Sequence, residues 1–151
     1  MGKCLVLVGV TGSGKEEFVE NFMKNYPTYE VVTLDQIKRR LYGTALKSDK
    51  KLEKTERNFL NDEVYRLLEQ GRNVILQDGA LRAQERKRFL TYIGKIEDAQ
   101  ISCVEFITPK ETCKARSQSN KLTKEKYIKD ISAYQPPTIE EGWHGIMKYE
   151  G

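Results

Sequence analysis

The sequence predicts an α/β fold: a mostly parallel sheet of about four or five strands with helices on both faces. Three observations predict it. Short apolar runs alternate with segments of helical periodicity along all 151 residues, the pattern of strands joined by crossover helices. The first run, "KCLVLVGV", is continuously apolar, as expected of a strand covered on both faces. It leads directly into a glycine-rich turn and a helix-forming segment, "TGSGKEEFVENF".

The elements follow in order. A helix is predicted from Lys15 to about Asn25, with Phe18, Phe22 and Met23 on one face. "YEVVTLD" reads as a second strand ending at Asp35, followed by a short basic helix, "QIKRRLY". A longer helix runs from about Leu52 to Gln70, with Phe59, Leu60, Val64, Leu67 and Leu68 as its apolar stripe and Gly71 as its cap. "NVILQD" is the third strand and ends at Asp78. "RAQERKRFLTYIGKI" is helical, and "AQISCVEFIT" is the fourth strand. Pro109, at the first helical position, begins a helix through about Ser117. "QSNKL" reads as polar loop, Thr123 to Tyr134 as helix, and "IMKY" as a short strand in an otherwise irregular tail. With no linker or repeat, residues 1–151 read as a single domain.

Composition narrows the setting. Charged residues make up 32% and hydrophobic residues 38%, and no apolar run approaches the ~20 residues that span a bilayer. The first residues lack the pattern of a secretory signal. Cys4, Cys103 and Cys113 have neither disulfide-framework nor metal-ligand spacing, so a reducing cytoplasm is expected. The net charge of +4 is concentrated: Gln36 to Arg57 holds eight Lys/Arg against three Asp/Glu, and Arg82 to Lys95 five against one. Such stretches suit anionic partners, or are solvated helix faces.

The turn after the first strand carries the chemistry. Gly9, Gly14 and Lys15 fit G-x-x-x-x-G-K, with a buried strand before and a helix after. Glycines let successive N–H groups of residues such as Thr11, Gly12 and Ser13 face phosphate oxygens, the helix N-terminus adds partial positive charge, and Lys15 supplies a full one. The motif is that of a phosphate-binding P-loop and points to a nucleoside triphosphate, without saying what is done with it. Glu16 stands where a Ser or Thr hydroxyl would hold magnesium. Its carboxylate is either a replacement metal ligand or a first-turn acid pointing away, with the metal held elsewhere.

In open α/β sheets ligands bind at the C-terminal strand edges. Asp35 and Asp78 are the acids expected there. Asp35 reads as a general base for an attacking hydroxyl, with Lys38 or Arg39 holding a nearby phosphate, or as an N-cap. Asp78 reads as a metal aspartate, or as the first residue of a D-G turn.

These residues resemble the kinase domain of polynucleotide 5′-hydroxyl kinases and their small P-loop relatives (the AAA_33 type). The resemblance rests on "GVTGSGK", on Asp35 before a basic helix, and on "EQGRNVILQDGALRAQERKRFLTYI". It rests also on the closing "YQPPTIEEGW", with Tyr134, Pro137, Thr138, Glu141, Gly142 and Trp143. It covers nearly the whole chain. It implies transfer of the ATP γ-phosphate to a hydroxyl, with Mg2+. Asp35 would be the base, Lys15 the donor ligand, Lys38 or Arg39 the acceptor-phosphate ligand, Asp78 a residue of the acceptor or metal side, and Arg116 an arginine of a short helical lid at about 110–130, the place of "ITPKETCKARSQSN". Three positions depart from the pattern: Glu16 for a hydroxyl residue, Gly79 for the usual Thr or Asn, and Asn120 for a second lid arginine.

Arg82 and Arg86 share a helix face at i, i+4 and read as lining an acceptor groove or as a solvated basic face. Trp143 reads as core in preference to a base-stacking platform, Tyr127 and Tyr134 as packing, and His144 has no assigned role. The expected activity is therefore an ATP-dependent kinase of a nucleic-acid or nucleotide hydroxyl, foremost a polynucleotide 5′-OH. The alternatives are a kinase of another hydroxyl, or a non-catalytic nucleotide-binding module.

Overall fold

The computed structural model describes residues 2–45 and 50–151; Lys47 of the first basic stretch lies outside them. Five strands, β1 (Lys3–Val8), β2 (Glu30–Val32), β3 (Val74–Leu76), β4 (Gln100–Phe106) and β5 (Ile146–Tyr149), form one sheet in the order β2-β3-β1-β4-β5. Every neighbouring pair is parallel. The helices between them are α1 (Lys15–Asn25), α2 (Leu34–Tyr42), α3 (Glu53–Glu69), α4 (Ala83–Ile93), α5 (Lys110–Arg116) and α6 (Lys121–Ala133).

The apolar run of β1 is continuous because both of its faces are covered. Cys4, Val6 and Val8 enter a core with Leu60, Val64 and Leu68 of α3 and Phe89 and Ile93 of α4. Leu5 and Leu7 face the other way, against Phe18, Phe22 and Met23 of α1. Strand alternation thus feeds two cores from one sequence run. The three cysteines are all free and buried. Burial pushes the Cys4 and Cys103 thiols up to about 12. No helix of the described residues is long and apolar enough to cross a membrane.

Several boundaries differ from the sequence reading. β2 stops at Val32, three residues short of Asp35. Thr33 ends it by capping α2: its hydroxyl accepts the Gln36 N–H and the Gln36 side chain accepts the Thr33 N–H, both at 3.2 Å. This reciprocal pair is a capping box, so Thr33, not Asp35, is the N-cap. β3 likewise stops at Leu76, and Asp78 lies in the loop beyond. Pro109 is the cap of α5 and Lys110 its first residue. α6 starts at Lys121, because the Asn120 side chain accepts the Thr123 N–H at 2.8 Å. Phe59 is 42% exposed. At ~100° per residue it falls roughly 120° from the centre of the face formed by Leu60, Val64, Leu67 and Leu68. Gly71, with φ 76°, follows α3 as its left-handed residue: its N–H bonds Leu68 O and the Arg72 N–H bonds Leu67 O, a Schellman stop.

Candidate active site

Because β1 pairs with β3 and β3 with β2, the loops that leave these strands meet at one sheet edge. The loop after β1 runs from Gly9 to Lys15. A Cβ at Gly9 would lie 2.5 Å from Ser13 Oγ and 2.8 Å from Phe106 Cβ, so only glycine fits. Gly12 has φ +85° and a Cβ there would lie 2.4 Å from Cys113 O; space and backbone conformation both demand glycine. The Ser13 N–H turns inward to Val10 O at 3.1 Å. Among the described residues the N–H groups of Gly12, Gly14, Lys15, Glu16 and Glu17 have no hydrogen-bond partner. These open donors lie at and just before a helix N-terminus, which suits an anion.

Lys15 Nζ stands 3.9 Å from Asp78 Oδ1, with both side chains largely buried. The other carboxylate oxygen of Asp78 accepts the Leu34 N–H at 2.7 Å. Asp78 therefore ties the loop lysine to the first turn of α2. That turn carries Asp35, exposed and without a hydrogen-bond or ion-pair partner among the described residues. Lys38 is one turn on, half-buried, and Arg39 is exposed; the i, i+3 spacing puts Lys38 on the Asp35 side of the helix.

On the opposite flank, α5 and α6 press against the loop. Arg116 donates to Gly12 O at 3.3 Å and to Gly151 O at 3.2 Å. Thr108 donates from its hydroxyl to Ser13 O and accepts the Gly151 N–H, each at 2.8 Å. Asp130 Oδ2 accepts both the N–H and the hydroxyl of Thr11, at 2.8 and 2.6 Å. Neither Thr108 nor Asp130 was identified from the sequence. Asp130 lies in a helix of unremarkable polarity, and only tertiary packing brings it to a residue 119 positions away.

Glu16 is exposed on the first turn of α1. The described residues contain no group of three or more His, Cys, Asp or Glu able to hold a metal. A hard cation of the magnesium type needs only one or two protein carboxylates when phosphate oxygens and waters complete its shell. Glu16, with a free carboxylate, and Asp78 fit that modest requirement. Asn120 spends its side chain on capping, accepting from Thr123 N and Oγ1.

Two basic residues after β3 part company. Arg82 is exposed at the start of α4, 3.9 Å from Glu85, which also pairs with Arg57 at 3.0 Å. Arg86 is 1% exposed and does not line a groove with Arg82. It makes two 2.9 Å bonds to Glu141 and further bonds to the carbonyls of Ala80, Leu81 and Pro136. Trp143 is buried and donates to Glu141 at 3.0 Å, in accord with its reading as core. Burial works against the charge of Glu141, but the bonds from Arg86 and Trp143 outweigh it and hold the carboxyl below its usual value.

Comparison with known proteins agrees with this fold. A family model described as an AAA domain, of the AAA_33 type, matches residues 5–132. No curated protein matches the sequence. Among solved structures, the chain is similar to one in the Pnkp1/Rnl/Hen1 RNA repair complex, with 23% identity and TM-score 0.68 over 87% of this chain and 44% of that one. It is similar to a fungal RNA kinase, with 17% identity and TM-score 0.70 over 99% of this chain and 38% of that one. It also matches Chaetomium thermophilum Kti12 in complex with ADP-AlF3, with 15% identity and TM-score 0.73 over 97% and 88%. The chain spans less than half the length of the RNA-repair and RNA-kinase chains.

Proposed function

From the premise that this chain belongs to the AAA domain family, of the AAA_33 type with a P-loop kinase-like fold, we propose that it is an ATP-dependent kinase of a hydroxyl group. The acceptor we favour is the 5′-OH end of a polynucleotide. One observation carries the reading: Asp78 links the loop lysine, at 3.9 Å, to the helix turn that presents Asp35. A phosphate cradle and an unengaged carboxylate thereby share one sheet edge, as in-line phosphoryl transfer requires.

In this mechanism the free amides of the loop and Lys15 hold the donor phosphates. Asp35 accepts the proton of the attacking hydroxyl as its oxygen bonds to the γ-phosphorus and the bond to ADP breaks. Lys38, or Arg39, holds a phosphate of the acceptor, and Arg82 extends the acceptor side. Arg116 delivers charge to the transferring group from α5, which with α6 forms the lid of a single domain. Magnesium, when bound, would be held by Glu16 or Asp78 and would neutralise phosphate charge. The basic stretches and the RNA-processing character of two similar structures support a polymer acceptor.

The test is label transfer from γ-labelled ATP, with magnesium, to a 5′-OH oligonucleotide. Transfer by the natural protein, reduced ~10²–10⁴-fold in Asp35→Asn with ATP binding retained, is the expected result. Transfer to a nucleoside, a modified base or another small hydroxyl compound, but not to the oligonucleotide, would replace the acceptor class. A polymer held by several Lys or Arg also loses affinity as salt rises. A second reading is a non-catalytic nucleotide-binding module. The capping role of Asn120 favours it, since that residue offers no cation. ATP binding without transfer to any hydroxyl acceptor would establish that reading instead.

A further inference from the structure

The phosphate loop has three carbonyls (Thr11, Gly12 and Ser13), one amide and one hydroxyl contacted from outside, and the only ionised acceptor among these contacts comes from α6. Arg116 bonds Gly12 O at 3.3 Å, and the Ser117 hydroxyl, which donates to Cys113 O at 2.7 Å, stands 3.4 Å from Thr11 O. Asp130 takes the Thr11 N–H at 2.8 Å and its hydroxyl at 2.6 Å on a single oxygen. Hydrogen bonds to an ionised acceptor are roughly twice as strong as neutral ones. The carboxylate also decides which loop amides remain for a ligand. With the Thr11 N–H turned to Asp130 and the Ser13 N–H turned to Val10, the open donors begin at Gly12 and resume at Gly14.

We propose that Asp130 is a positioning residue of the nucleotide site. Through Thr11 it fastens α6 to the near limb of the phosphate loop and holds the Thr11–Gly12 peptide so that the open amides face the donor phosphates. It touches neither nucleotide nor acceptor and acts through the loop. The inference rests on the reading of Gly9–Lys15 as a nucleotide site and adds a residue that the phosphate-loop pattern itself does not contain.

Calorimetric titration with ADP and magnesium, together with the transfer assay, tests it. Asp130→Ala is expected to weaken ADP binding about tenfold or more, the scale of losing charge-assisted hydrogen bonds. In the transfer assay it raises KM for ATP and leaves KM for the acceptor unchanged. Thr11→Val loses the hydroxyl and weakens binding, and Asp130→Ala adds less in the Thr11→Val background than alone, because the two residues act as one unit. A lowered active fraction, with kcat reduced and KM for ATP unchanged, marks a merely structural role and overturns the proposal. So does ADP affinity in Asp130→Ala equal to or tighter than that of the natural protein, the latter showing a carboxylate that competes with phosphate. If the natural protein itself fails to bind ADP, the nucleotide reading falls and this inference with it, a result distinct from all the others.

Discussion

Arg86, on α4, and Arg116, at the end of α5, have opposite surroundings. The Arg86 guanidinium is buried, and its five hydrogen bonds, to Glu141 and to the carbonyls of Ala80, Leu81 and Pro136, use all five donors of the group. It locks the closing segment, with Trp143, onto the back of α4. Arg116 is exposed and spends donors only on Gly12 O and Gly151 O. A charge whose bonding is complete holds the fold. A charge with donors to spare beside a phosphate cradle is available to a ligand. Asp35 and Glu141 differ in the same way, the first unengaged and the second bonded by Arg86 and Trp143.

The largest way to sharpen this contrast is Arg116→Ala. Loss of an arginine that neutralises the transferring phosphoryl group is expected to slow transfer by about 10³-fold or more, with the urea midpoint nearly unchanged. A large fall in stability would place Arg116 with Arg86 and break the distinction. Arg86→Met has the converse signature. Breaking a buried pair by removing one partner costs about 3–5 kcal/mol, read as a lower urea midpoint, while kcat per folded molecule is preserved.

The acid limb of the stability curve is a smaller effect. The Glu141 carboxyl is held below its usual value in the folded protein. Its ionised form therefore adds stability above the unfolded carboxyl's ordinary pKa, and this is lost as pH falls through the folded one. Between pH 6 and pH 3 the urea midpoint of Glu141→Gln should fall less steeply than that of the natural protein. Equal slopes would deny Glu141 that role. The smallest effect concerns Glu16→Ser: ATP binding and magnesium-dependent transfer are expected to stay within a few-fold of the natural protein if Asp78 organises the metal. Collapse of transfer, restored by raised magnesium, would identify Glu16 as the ligand.

Much of this was legible in local sequence. The alternating apolar and helical segments, the two-faced β1 and the closing strand "IMKY" are periodicities that each segment carries by itself. The phosphate loop was legible because its G-x-x-x-x-G-K pattern is complete within seven residues, Gly9 to Lys15, although the close contacts that exclude side chains at Gly9 and Gly12 come partly from Phe106 and Cys113. Thr33 was legible in principle, since T-x-x-Q before α2 is a capping-box signature, but the apolar character of the preceding residues masked it. Phe59 was misread because, one position before Leu60, it falls roughly 120° from the centre of the buried face, beyond the width that the adjacent Leu67 and Leu68 still share.

The sequence alone determined the α/β class, the cradle and its lysine, and the two acids after β2 and β3. Only the tertiary structure decided which charges are structural and which are free. Arg82 and Arg86 are equivalent in sequence, four residues apart, yet one meets solvent and the other meets Glu141 across 55 positions. Asp78 reaches Leu34 across 44 positions and Thr11 reaches Asp130 across 119. Periodicity and turn chemistry are set by neighbours along the chain. The pairing of a charge depends on what the fold packs against it, and that partner leaves no trace in the residues beside it.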